Sequence, residues 1–201
     1  MIPVPNLDAV RCAWIDIRIQ EFTLHGFLLY AMSDHKFPEY VDGDGLADLD
    51  QWSTGDCGIF VVHTPSEEWI EYTQATDHPW WKLFGAHGGS TDFIRDLDRQ
   101  IGTSQVLEIG TELKTIREVF APRLNRFRHQ QEVSKILHRF DLSPTAHPCL
   151  ILFRDLKDRE VTVIDFHDLV DIPVAELRKG LKDWFGGDEF EQLIKEAAHH
   201  A

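Results

Sequence analysis

The chain contains no Cys-x-x-Cys, His-x-His or His-Glu-x-x-His pair and no Gly-x-Ser-x-Gly turn. The first three absences remove the usual local ligand pairs of zinc sites. The fourth removes the nucleophile turn of the common serine esterases, so "AHGGS" (residues 86–90) reads as a loop and not as an oxyanion hole. No Gly-x-x-x-x-Gly-Lys phosphate loop occurs either. No apolar run approaches the roughly 18 to 20 residues of a membrane span. Cysteine is scarce: Cys12, Cys57 and Cys149 are odd in number and far apart, which argues against a disulfide framework and for a reducing cytoplasm. The opening "MIPVPNLDAVR" lacks a positive start followed by an apolar stretch, and no secretory signal is expected.

Basic charge is also short. Against 34 Asp and Glu stand 20 Lys and Arg, a formal net of -14. Nonspecific binding to nucleic-acid phosphates is disfavoured over most of such a surface; solubility alone is the plain reading of the acidity, and a basic protein partner the sharper one. Residues 115–140 run the other way, with six Lys/Arg against two Glu. Arg117, Arg123, Arg126, Arg128, Lys135 and Arg139 make no strict helical stripe. A solvated face is the plain reading and a binding patch for an anion the sharper one.

What is present is a globular pattern, 43% hydrophobic and 11% aromatic over 201 residues. That is enough chain for one domain with an elaboration. "AWIDIRIQ" alternates as a half-buried strand, and "LHG" turns it into "FLLYAM", an N-terminal β-hairpin. "LADLDQW" is a short helix, "GIFVVH" a buried strand and "SQVLEIG" another strand. "TELKTIREVF" and "PRLNRFRHQQEVSKILHRF" read as helices. "CLILF" and "EVTVIDF" are strands joined by a charged turn and so antiparallel, and helices follow to the end. Strands joined by helices are expected to be parallel. The fold class is α/β, a mixed sheet flanked by helices. Its expected division is 1–45, a hairpin and acidic loop extension, and 46–201, an α/β domain with a C-terminal helix.

The stretch "FDLSPTAHPCLILFRDLKDREVTVIDF" resembles the thioredoxin-like fold. There a helix end, a short loop, a proline that is usually cis, an apolar strand, a charged turn and a second strand follow one another. Pro148 stands at the proline. "LADLDQWSTGDCGIFVVHTPSEEW" is similar to that family's opening helix, turn and buried strand, so the likeness spans about Leu46 to Phe185. Redox members carry Cys-x-x-Cys at the start of the helix after the buried strand, where a helix N-terminus lowers the thiol pKa. The corresponding stretch here, "HTPSEEW", has no cysteine. Cys57 precedes the strand and Cys149 follows the proline. The resemblance therefore implies a redox-inactive member, with no cofactor, that binds an extended protein segment. The implied surface is His147 and Pro148, flanked by Thr64, Pro65 and Trp69. Trp80 and Trp81, in "DHPWWKLF", are further contact candidates, because two adjacent tryptophans cannot both face a core from one regular element.

Two other readings stand beside it. One is an enzyme with a histidine base beside a carboxylate, His63 or His147 with Glu67 or Asp165. The other is a weak cation site in "YVDGDGLADLDQW". Asp42, Asp44 and Gly45 fit calcium-loop positions 3, 5 and 6, and Asp48 fits position 9. Tyr40 and Gln51, however, stand where the first and last carboxylates belong. The preferred reading of that stretch is an acidic turn with Asp44 capping the helix, and no metal.

Overall fold

The computed structural model describes residues 2–4, 6–12, 14, 22–34, 36–53, 57–63, 67–76, 106–109, 112–115 and 126–199. The strands are β1 (Ile2–Val4), β2 (Leu24–Leu29), β3 (Cys57–Val62), β4 (Val106–Ile109), β5 (Glu112–Thr115), β6 (Cys149–Phe153) and β7 (Thr162–Asp165). The helices are α1 (Leu7–Cys12), α2 (Lys36–Tyr40), α3 (Leu46–Trp52), α4 (Glu67–Ala75), α5 (Arg126–Arg139), α6 (Val174–Phe185) and α7 (Asp188–His199).

Five strands form one mixed sheet in the order β1-β3-β2-β6-β7. β1 and β2 both run parallel to β3, while β6 is antiparallel to β2 and β7 antiparallel to β6. The α/β class and the mixed sheet are therefore as the sequence implied. "FLLYAM" supplies the second half of β2, the middle strand, while "LHG", expected as a turn, is its first half; the alternating segment 15–20 expected to pair with it lies outside the described residues. Residues 1–45 contribute two of the five strands.

Two expectations change. "SQVLEIG" does form a strand, but β4 pairs only with β5, antiparallel, in a separate two-stranded sheet. "ELKT", read as part of a helix, is β5 itself. Glu, Leu and Lys are good helix formers, yet cross-strand pairing outweighs a few tenths of a kcal/mol of propensity per residue.

Strand alternation divides the core in two. Phe27, Leu29, Phe60, Val62, Cys149, Ile151 and Phe153 point to the face covered by α1 and α5. Leu24, Leu28, Ile59, Val61, Leu150 and Leu152 point to the face covered by α2, α3, α6 and α7. A sheet covered on both faces needs the near-continuous apolar runs seen in "CGIFVV" and "CLILF". α5 meets its face with Val133, Ile136, Leu137 and Phe140, at helical spacing along one side. α6 buries Leu177, Leu181 and Phe185 and stops at Gly186, whose N–H bonds the Lys182 carbonyl. Among the described residues, no helix is long and apolar enough to cross a membrane.

Asp44 caps nothing. Val41–Gly45 joins α2 to α3 through a kink at Gly43, whose backbone is non-helical (φ -90°, ψ -130°), and at Gly45, the residue before α3, no side chain caps the helix. Gly45 is required in this turn because a Cβ would lie 2.5 Å from the Tyr40 carbonyl oxygen.

Candidate functional site

The carboxyl ends of β2 and β3 and the amino end of β6 lie at one end of the sheet, because β6 runs against the other two. The loop 30–34 leaves β2 there, His63 follows β3, and His147-Pro148 leads into β6 beside Leu29. The His147–Pro148 peptide is cis.

Asp34 organises the first loop. Its carboxylate accepts the Ala31 N–H at 2.7 Å, its own N–H bonds the Ala31 carbonyl at 2.9 Å, and its carbonyl accepts the Phe37 N–H at 2.8 Å. The same carboxylate oxygen lies 3.3 Å from His147 Nδ1. With Nδ1–H donating to Asp34, Nε2 of a neutral ring is an acceptor, and among the described residues it has no partner. The His147 side chain is 21% exposed. Among the described residues, neither the backbone N–H nor the carbonyl of His147 has a hydrogen-bond partner.

A second histidine–carboxylate pair stands beside it. His63 Nε2 is 3.5 Å from Asp42 Oδ1, and Nδ1 is 3.3 Å from the Tyr30 hydroxyl. Burial lowers the His63 pKa, with Asp42 opposing, so the ring is neutral near pH 7. Nε2–H then donates to Asp42 while Nδ1 accepts the Tyr30 O–H. Burial, then the Asp42 charge, raises the Tyr30 pKa far above its ordinary value, and the phenol acts only as a donor. Both bonds are long and correspondingly weak.

His129 reaches the same place from α5. It is 2% exposed, its ring lies 4.9 Å from that of Tyr30, and neither nitrogen has a hydrogen-bond partner of good geometry. Burial, then the neighbouring His63, pushes its pKa down to about 4, although the Val62 carbonyl pulls the other way. Among the described residues, no three His, Cys, Asp or Glu side chains are arranged to hold a metal ion.

The structure thus brings His147, Pro148 and His63 together and adds Tyr30, Asp34 and His129, which sequence reasoning missed, and Asp42, which it read as a calcium-loop position. Only Asp34 carried a signal, as an Asp shortly before a helix. Trp69 is 4% exposed and packs in the α2/α3/α6 core against Tyr72, so it offers no surface to a partner. Thr64, Pro65, Trp80 and Trp81 lie outside the described residues. Asp165 does not serve His147, because it accepts both the N–H and the ring nitrogen of His167. In the acidic stretch, Asp42 faces His63, Asp48 bonds Arg178 at 2.6 Å, and Asp50 accepts the Tyr72 hydroxyl.

The loop bonded to His147 is 30–34, after β2, and it contains no cysteine. Cys57 pairs with Leu24 and Cys149 with Leu29, at opposite ends of β2. Five strand residues put them roughly 17 Å apart, well beyond disulfide reach. Burial, then Asp165, pushes the Cys149 thiol up to about 12. In a Cys12→Ser variant, Cys57 and Cys149 are therefore expected to ignore a thiol reagent at pH 8 until denaturant is added. A fast native-state reaction would contradict this burial.

Comparison with family models, with curated proteins and with solved structures gives no match.

Proposed function

We propose that this chain is a thioredoxin-like protein without a working dithiol, and that it binds an extended segment of a protein partner at the His147–Pro148 loop. The observation that carries the reading is the free N–H and carbonyl of His147 beside the loop 30–34. Free backbone groups at a sheet end are what strand-like pairing with a peptide requires. The strand order β1-β3-β2-β6-β7, with a proline heading an antiparallel β6, supports the family resemblance. Asp42, exposed beside His63, favours a cationic segment.

The test is a photo-crosslinking residue at exposed Ser33, with the same residue at exposed Asp183 as control, in the protein's own cells. A defined partner segment trapped at 33 and not at 183 is expected. When a synthetic peptide of that segment binds, the His147 amide should become protected from hydrogen exchange. Equal trapping at both positions, or an unprotected His147 amide in the complex, sinks the reading.

A second reading is favoured by one observation: Asp34 orients His147 with Nε2 free, the arrangement of a general base. If a small-molecule reaction is found, His147→Gln should abolish it, and Asp34→Asn should reduce it by about 10² or more. Peptide binding through the backbone would survive His147→Gln.

A further inference from the structure

The other feature needing a reason is a concentration of cations in a chain of net charge -14. Arg11 from α1, Lys135, His138 and Arg139 from α5, and Arg159 from the β6–β7 turn line a cleft of about 380 Å³, with Asp141 as its one acid. It lies by that turn, at the end of β6 away from His147.

The cations are not equally compensated. Arg11 bonds Asp8 at 3.2 Å, and Lys135 bonds Glu132 at 2.6 Å. Arg139 gives an N–H to the Leu156 carbonyl and lies over the Phe140 ring at 5.8 Å, which fixes the guanidinium without neutralising it. Among the described residues, Arg159 has no carboxylate partner. Lys135 and Arg139 would be explained by the negative end of α5 alone. That account leaves out Arg11 and Arg159, which reach the cleft from two other elements.

We infer that the cleft binds a small phosphate monoester, gripped by Arg139 and Arg159. Guanidinium forks match phosphate oxygens in geometry as well as charge, and a pre-fixed fork loses less freedom on binding. The volume suits a small phosphorylated molecule and not a polymer. Asp141, just past α5 at φ 55°, opposes the anion and sets the affinity below what the arginines would give alone. This inference is independent of the peptide site.

The experiment is calorimetric titration of the full chain with inorganic phosphate and phenyl phosphate at low salt. Saturable binding is expected, with the ester at least as tight as the free ion. Arg159→Glu, in an exposed turn, should weaken it about tenfold or more. Asp141→Asn should tighten it several-fold, since asparagine tolerates a left-handed backbone and the melting temperature should hold. Lys179→Glu, on α6, should change nothing. No saturation in the native chain overturns the proposal. So does equal weakening by Arg159→Glu and Lys179→Glu, which would mark diffuse attraction.

Discussion

Replacing Phe27 with alanine should lower the unfolding free energy by about 3–5 kcal/mol. Phe27 is fully buried at the middle of β2, itself the middle strand. Its ring lies 5.3 Å from Phe153, 5.4 Å from Phe60 and 6.2 Å from Phe140, so it joins three elements on the α1/α5 face. Those neighbours are anchored in paired strands and a packed helix and cannot collapse into the space, so most of the cavity would remain. Against a total of roughly 5–15 kcal/mol, the loss is a large share of stability, on the order of 10 °C in melting temperature. Urea unfolding should show the midpoint falling with an unchanged slope. Phe27→Leu should cost less because it refills much of the volume. Val163→Ala, on the exposed edge strand β7, should stay within about 0.5 kcal/mol. Equal costs for Phe27→Ala and Val163→Ala would show that the sheet has no such aromatic centre. The change should also loosen the site, since β2 leads directly into the loop of Tyr30 and Asp34.

How much of this was legible in the sequence depended on range. "CGIFVV" and "CLILF" announce themselves because a strand covered on both faces must be apolar at every position. α6 and α7 are legible for the opposite reason: each presents one apolar side to the sheet. β1 is not, since three residues containing Pro3 show no period. Proline is tolerated there because β1 is an edge strand. The place of β2 is also hidden. Gly26 pairs with Ile59 on one side and Leu152 on the other, and nothing local to "LHGFLL" states either partner.

The site was legible in one member of each pair. A histidine before a proline is visible at 147, but the carboxylate that orients it is 113 residues away. His63 was visible at the end of a strand. Its partners Asp42 and Tyr30 come from stretches whose own patterns point elsewhere, the first to a calcium loop and the second to a core. His129 sits in a cationic run, "RFRHQQ", and reads there as one more exposed base. Only the docking of α5 on the sheet makes it one of the most buried polar side chains in the protein.

That burial gives His129 the second large effect. Its folded pKa is about 4, below the roughly 6.5 of an unfolded histidine. At pH 7 both states hold it neutral and it contributes no pH dependence. As pH falls through 6.5 the unfolded chain takes up the proton first, so stability declines, and it levels only below pH 4. The difference corresponds to about 3 kcal/mol lost across that window. His63, whose pKa is also lowered by burial, adds loss in the same direction. The charged or titratable groups around His129 are His63, His147 and Asp34, with Tyr30 against its ring. A protonated His129 would meet two imidazoles and one carboxylate, too little to offset its lost hydration. His129→Phe keeps an aromatic ring against Tyr30 and removes the proton site. That variant should match or exceed the native protein at pH 7, because two buried nitrogens without partners are gone. Between pH 6.5 and pH 4 it should lose far less stability than the native chain. Denaturant unfolding at a series of pH values measures both curves. Parallel curves would mean that His129 is hydrated or paired in the folded protein, and α5 would then not close over the sheet at Tyr30. Divergent curves would show that this helix holds a neutral imidazole behind the His63 pair, and that protonating it is a main cause of the loss of stability in acid.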